Sequence, residues 1–386
     1  MPPLRRLPLA LTLVALLLLA ACGGGGPGDR QPSSSISADP PSGTARAPVT
    51  VAFSAPEGAG EETTYRWFVD GAPAGTGATV DHTFEAAGRF EIRLEVGGGS
   101  GTTGATLDYT VLTDSAFDIV LVFEEGSFTA QQRSMIEAAA RRWEQLVVGD
   151  IRDNGDMPPN IRKSCLKILG PDPDTLAPEL REVDLVDDLL VFVHLVDEAT
   201  QTLARAGPCY WNGRLPNYGS IEVNLRHLEL MTSNDALTEV MIHEMAHILG
   251  VGTLWRSRAG ELLHPGLTHC NNSALEPHLE RTFVGAAAVE RFQALGGTGA
   301  PPVNPNCSHW KQEVFGNEAL TPARKIGTAD DHTPLSTVTL GSLADLGYEV
   351  EYAMADRYTL PVAPAHVPGE GHEYRHGEPF VLLPGL

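Results

Sequence analysis

Positive charge is scarce in this chain. Lys and Arg number 27 against 49 Asp and Glu, a formal net charge of −22 at pH 7. A surface of that sign repels phosphate, which argues against nucleic acid as a partner. Cysteine is scarce as well, five residues in 386, and no two form a CxxC pair. Long apolar runs are almost absent: apart from residues 7–21 at the N-terminus, none is long enough to cross a bilayer as a helix. Acidic pairs occur at Asp172/Asp174 and Asp187/Asp188, but neither has the spacing of a calcium loop, so they read as solvated or strand-edge carboxylates.

What is present begins with that apolar run. Arg5 and Arg6 precede it and Leu19-Ala20-Ala21-Cys22 ends it, the pattern of an export signal. The ending resembles a bacterial lipobox, in which Cys22 becomes the lipidated first residue after cleavage; a plain secretory signal is the alternative. Removing residues 1–21 takes away Arg5 and Arg6 and no acid, so the charge moves from −22 to −24 (−22 − 2). Residues 22–36 are rich in Gly, Ser and Pro and read as a flexible tether. Cys165, Cys209, Cys270 and Cys307 then remain, an even number in an exported chain, which points to disulfides. Of the three possible pairings we favour Cys165–Cys209 with Cys270–Cys307.

Residues 37–112 read as all-β. Short alternating runs (Val49, Val51, Phe53, then Phe90, Ile92, Leu94, Val96) are separated by Gly and Pro turns. Tyr65-Arg66-Trp67-Phe68-Val69-Asp70-Gly71 and His82-Thr83-Phe84, followed by Gly88 and Phe90, resemble an immunoglobulin-like module of the PKD type. Trp67 is expected in its core. With no catalytic constellation here, a spacer or adhesive role towards a cell surface or matrix is expected. Further on, residues 119–123 and 189–193 read as buried strands and 129–148 as an intervening helix with apolar Met135, Ala139, Trp143, Leu146 and Val147.

The densest chemical signal is His243-Glu244-Met245-Ala246-His247, an HExxH motif. Residues four apart on a helix share one face, so two imidazoles can grip one zinc ion while Glu244 reaches the water beside it. Apolar Leu237, Val240, Met241, Met245, Ile248 and Leu249 supply the helical period, Asn234 and Asp235 are candidate caps, and Gly250 is the stop signal. A catalytic zinc needs a third protein ligand. Glu261, Glu276 and Glu280 are available, but no helix signature recommends any of them; His264, His269 and His278 sit in a loop-like stretch and read as surface histidines. His309 is distinguished by its surroundings, SHWKQEVFGNEALTP over residues 308–322.

These stretches carry a family resemblance. HEMAHILGVGTLW at residues 243–255 and the segment at 308–322 resemble the leishmanolysin-type (M8) zinc peptidases of the metzincin clan, whose bacterial members share HEMxHxLGxGTLW and SHWxxxxFxNELMTP. The compact metzincin pattern HExxHxxGxxH keeps Gly250 but has Thr253 where its last His stands. The gap of 62 residues (309 − 247) fits the insertion that this family places before its third histidine. PLSTVTLGSLADLGYEV at 334–350 resembles the family's closing helix and strand, and the likeness runs over about residues 117–352. It implies His243, His247 and His309 as ligands of one Zn(2+) per chain, Glu244 as the base, and Leu320 where metzincins keep a methionine beneath the metal. It also implies a strand over the cleft that pairs with substrate, for which residues 219–225 (GSIEVNL) are the candidate, an internal strand being the alternative.

The expected fold class is therefore α+β. A metzincin-like peptidase domain at 117–352 follows a PKD-type sandwich at 37–112, with a signal peptide at 1–21, a linker at 22–36 and a Pro/Gly/His-rich tail at 353–386. For His366, His372 and His376 of that tail, weak metal binding is one reading, and a disordered or loosely packed segment is the favoured one. The expected function is a zinc-dependent metalloendopeptidase acting on protein or peptide, held outside the cytoplasm on a bacterial membrane by its lipid. The alternative is a catalytically weak or inactive surface-binding or adhesion lipoprotein on the same fold. Zinc hydrolysis of a non-peptide bond is a third reading.

Overall fold

The computed structural model describes residues 36–56, 63–98, 101–113, 115–152, 187–211, 214–255, 281–327, 332–361 and 373–377. Cys22, Cys165, Cys270, Asp172 and Asp174 lie outside the described residues, as do Glu261, His264, His269, Glu276, His278, Glu280, His366 and His372.

The first described part is a β-sandwich. One sheet has the order β1-β2-β5 (Ser37–Asp39, Val49–Ser54, Thr79–Phe84). The other has the order β4-β3-β6-β7 (Ala72–Thr76, Thr64–Val69, Gly88–Gly98, Gly101–Val111), and every pairing in both is antiparallel. Alternation puts Val51, Phe53, Trp67, Phe84, Ile92, Leu94, Tyr109 and Val111 in one buried layer between the sheets. Trp67 is 1% exposed, and its indole N–H donates to Gly77 O at 2.9 Å, so it is a satisfied core residue as expected.

The second part is mixed α/β. Strands β8 (Ile119–Phe123), β9 (Leu189–Val196) and β11 (Pro216–Asn224) run parallel, and β10 (Ala204–Trp211) is antiparallel at one edge, giving the order β10-β11-β9-β8. Helix α1 (Ala130–Leu146) joins β8 to the sheet's second strand, and Thr129 opens it in a capping box with Gln132. Its inner face buries Ile136, Ala139, Trp143 and Leu146. The Trp143 indole donates to Ile242 O at 3.0 Å, which ties α1 to the helix that carries HExxH.

That arrangement corrects the reading of residues 219–225. Strand β11 lies between β10 and β9 and is paired on both sides, so it has no free edge for a substrate; the antiparallel edge strand is β10. Alternating Ile221, Val223 and Leu225 could not separate an inner from an edge strand, because both alternate in the same way.

Short helix α2 (Leu225–Ser233) leads into α3 (Leu237–Leu249), the HExxH helix. The expected caps do not act as such: Asn234 ends α2, Asp235 takes a left-handed φ of 55°, and the N-cap of α3 is Ala236 with no side-chain bond. Helices α4 (Ala286–Ala294), α5 (Gln312–Phe315) and α6 (Thr337–Leu346) follow, with a 3-10 turn at Tyr352–Met354. Within 334–350 the helix forms as expected, while the expected strand shrinks to one bridge between Val350 and Val147.

The tail departs most from expectation. Strand β13 (Glu373–Arg375) pairs antiparallel with β12 (Ala323–Lys325), and the chain beyond it is buried at His376. Segment 373–377 is not loosely packed.

Candidate metal centre

Helix α3 is amphipathic in sequence, but its last turns are buried all round: His243 is 1% exposed, Glu244 and His247 0%. It stops at Gly250, whose φ of 116° is the left-handed cap that glycine adopts without strain. Two residues on, Gly252 (φ 73°) passes so close to Ser308 that an added Cβ would lie 2.0 Å from the Ser308 carbonyl oxygen. This close approach sets the residue before His309 against the end of the HExxH helix. Trp255 and Trp310, one from each motif, hold the two segments together with ring centroids 4.6 Å apart. Phe283 and Phe315 extend that buried aromatic cluster.

The result is a convergence of three imidazoles. His243 Nε2 lies 3.0 Å from His247 Nε2 and 3.1 Å from His309 Nε2, and the last two are 3.1 Å apart. The outer nitrogens are engaged. His243 Nδ1 donates to Ala319 O at 2.6 Å, His247 Nδ1 donates to Val251 O at 2.8 Å, and His309 Nδ1 meets the Ser308 hydroxyl at 2.9 Å. A carbonyl partner fixes the proton on Nδ1 and leaves the Nε2 lone pair directed inwards. Burial lowers the pKa of His243 and His309 well below the usual imidazole value, so both are neutral donors. Three Nε2 atoms at this separation suit one zinc ion with bonds of about 2.0–2.1 Å, the donor set of a three-histidine site with an open position.

The loop beneath is held by Glu318. Its fully buried carboxylate accepts from Leu320 N at 2.6 Å on one oxygen. The other oxygen accepts from Ser336 N at 3.0 Å, Ser336 Oγ at 2.8 Å and Thr339 Oγ1 at 2.6 Å. The first turn of α6 is thereby clasped to the 319–321 turn, whose Ala319 carbonyl orients His243. Leu320, at the methionine position, is fully buried in this turn, and its carbonyl accepts from Trp310 N at 3.0 Å. Asn304 closes the His309 loop by accepting from Ser308 N at 2.9 Å and His309 N at 3.2 Å.

Glu244 stands beside the triad on the same helix. Burial raises its carboxyl well above the ordinary carboxylate range. Its Oε1 meets His376 Nδ1 at 3.0 Å, and the His376 ring stacks on His243 with centroids 3.4 Å apart and planes 12° from parallel. His243, Glu244 and His376 thus form a second cluster of possible ligands overlapping the first. The triad is the better donor set, because His376 and Glu244 are already bonded to each other. Sequence reasoning did not link His376 to Glu244: it stands just past a three-residue strand in a Pro/Gly-rich stretch, with no helical spacing to connect it to the motif.

Cys209 and Cys307 are buried, at 2% and 1% exposure. Asp188 is buried rather than solvated, and its carboxylate accepts from Asp118 N and Ile151 N, both at 2.8 Å.

Comparison with known proteins agrees with this geometry. Residues 30–112 match the family model of the PKD domain, and residues 173–363 match that of leishmanolysin, the M8 peptidases. Among solved structures, the solution structure of the PKD domain from human VPS10 domain-containing receptor SorCS2 is similar at 20% identity. That match has a TM-score of 0.20 and covers 25% of this chain and 98% of that one. No curated protein matches the chain. With the histidine triad flanked by both motifs, the chain carries a leishmanolysin-like M8 peptidase region at 173–363 behind an N-terminal PKD module at 30–112.

Proposed function

We propose that this protein is a zinc-dependent endopeptidase in which His243, His247 and His309 hold the metal and Glu244 is the general base. The observation that carries the reading is the approach of the three Nε2 atoms to 3.0–3.1 Å of one another, with Glu244 next to His243 on the same helix. Zinc, when bound, supplies a positive charge that acidifies water and polarises a peptide carbonyl. Glu244 takes a proton from the attacking water as the new C–O bond forms. It passes that proton to the amine nitrogen as the C–N bond breaks. Buried surroundings keep the carboxyl oxygens free of bulk-water competition during that transfer. Leu320 in place of methionine keeps an apolar side chain of similar volume in the turn, a swap that costs under about 1.5 kcal/mol.

The decisive experiment compares the zinc-loaded wild type with Glu244→Gln on a broad peptide library, with and without a chelator. Glu244→Gln should keep one zinc per chain by elemental analysis while cleavage falls about 10²–10⁴-fold. Near-full cleavage by the zinc-loaded variant would sink the mechanism.

The same proposal includes the setting. Export by residues 1–21, lipidation at Cys22, a tether at 22–36, the module at 37–112 and a catalytic domain at 117–352 together describe a peptidase displayed on a bacterial membrane, with the PKD module free to meet a surface or matrix. Disulfides Cys165–Cys209 and Cys270–Cys307 fit an oxidising compartment; the bonded state of Cys209 and Cys307 supports cross-links at these two cysteines without naming their partners. The second of them would tether the family's insertion two residues before His309. One observation favours the rival reading of an inactive binding protein: Glu244 is 0% exposed and already bonded to His376.

A further inference from the structure

We propose that residues 373–377 are an internal occupant of the catalytic cleft, which must leave before a peptide substrate can reach Glu244. The inference rests on the peptidase reading above. Strand β10 is the antiparallel edge, and α3 packs directly against it. A free edge beside a catalytic helix is where an extended peptide adds itself by main-chain hydrogen bonds.

At the start of β10 that edge is taken by the protein's own chain. Leu203 N donates to Arg375 O at 3.0 Å, Arg375 N donates to Gln201 O at 3.2 Å, and Gly377 N donates to Ala204 O at 2.8 Å. The pairing is parallel, as the Thr202–Arg375 bridge shows. The other side of the segment is bonded as well, through β12 and through His376 N donating to Pro322 O at 3.1 Å. Five residues are thus clamped between two elements that flank the active-site helix.

The clamp delivers one side chain to the chemistry. The His376 ring covers His243 and bonds Glu244 Oε1 at 3.0 Å, and the two side chains are 2% and 0% exposed. A general base must be within hydrogen-bond reach of the proton it abstracts. Here the reachable oxygen is used by His376, and Glu244 Oε2 is buried with no partner. The arrangement satisfies one oxygen of a buried carboxylate at the expense of its access to water and substrate.

Two single substitutions in the full-length, zinc-loaded protein separate the ring from the strand. His376→Ala removes the ring and leaves the pairing. Gly377→Val dislodges the strand and leaves the ring, because a Cβ at 377 would lie 2.6 Å from Arg205 Cβ and 2.9 Å from Ala204 O. The first readout is turnover of a quenched fluorescent peptide library. The second is the affinity of a peptidyl hydroxamate by calorimetry, which needs no turnover. Both variants should cleave faster and bind the hydroxamate more tightly by about tenfold or more, equivalent to about 1.4 kcal/mol. Unchanged or weaker hydroxamate affinity, or turnover that falls in both variants, would overturn the proposal and make His376 part of the working site. If neither the wild type nor either variant cleaves any peptide, the peptidase reading fails by itself, while the hydroxamate affinities still decide whether the segment fills the cleft.

Discussion

At the scale of single residues, the structure separates buried polar groups that are satisfied from those that are tolerated. Glu318 belongs to the first kind, with donors on both oxygens, although burial raises its carboxyl. Glu318→Gln keeps one acceptor oxygen but turns an NH2 group, which cannot accept, towards the donors on the other side. We expect a loss of about 1–3 kcal/mol in denaturant unfolding and about 10–100-fold weaker zinc binding by competition with a chromogenic chelator, because the turn that orients His243 is released. An unchanged zinc affinity would show that this turn does not depend on the clasp. His194 is the second kind. It lies buried on β9 across from Glu222 of β11, with Arg205 of β10 beyond, and its Nε2 stands 3.9 Å from the Glu222 carboxylate, beyond hydrogen-bond distance. Burial first, then the charge of Arg205, pulls it down from 6.5 to about 4. The unfolded chain binds this proton from about pH 6.5 and the folded chain only near 4, so stability falls as pH drops through that window, by up to about 3 kcal/mol. Unfolding curves at pH 7 and 4.5 should therefore converge in His194→Leu relative to wild type; an equal acid loss in both would place the sensitivity elsewhere.

At the scale of elements, the metal centre depends on how the end of α3 meets the loop before α5. Gly252→Ala is the sharpest probe of that contact, since both its left-handed φ and the Ser308 carbonyl 2.0 Å from a would-be Cβ oppose a side chain. We expect a loss of more than about 2 kcal/mol and disturbed packing of Trp310, read as a changed near-ultraviolet circular dichroism spectrum; a wild-type spectrum and stability would mean the loop yields easily. The α3 helix itself was legible because a 3.6-residue apolar period and a glycine stop depend only on local sequence. Its N-cap was not. Asn234 and Asp235 have the right chemistry, but α2 ends there and bonds Asn234 Nδ2 to Leu230 O at 2.9 Å, which spends the cap on the preceding helix.

At the scale of the whole molecule, the sandwich rests on the peptidase region through paired charges of unequal worth. Arg357 meets Asp70 at 2.6 Å and Glu91 at 3.1 Å but is 53% exposed, so Arg357→Ala should cost no more than about 1 kcal/mol. Asp356 is 9% exposed and joins three elements: it accepts from Arg89 of β6, from Arg142 of α1 at 3.2 Å, and from Leu335 N ahead of α6 at 2.8 Å. Asp356→Ala leaves the mostly buried Arg142 short of its counter-charge and should cost about 3–5 kcal/mol. Denaturant unfolding of both variants checks the ordering, and equal losses would contradict it.

By itself the sequence determined whatever rests on short-range periodicity and on motif spacing. The all-β character of 37–112 followed from alternation, the HExxH helix from its apolar period, and the pairing of His309 with His243 and His247 from two motifs that resemble one family in separate places. Tertiary structure alone decided which strand is an edge, because alternation is the same on paired and unpaired strands. It alone placed Glu318 under the metal-site turn, since a buried acceptor is recognised by the donors that surround it. It alone brought His376 to Glu244, 132 residues away in sequence. That contact is set by β13 being held between β12 and the edge of β10. Such pairing is non-local, and no local pattern in a Pro/Gly-rich tail encodes it.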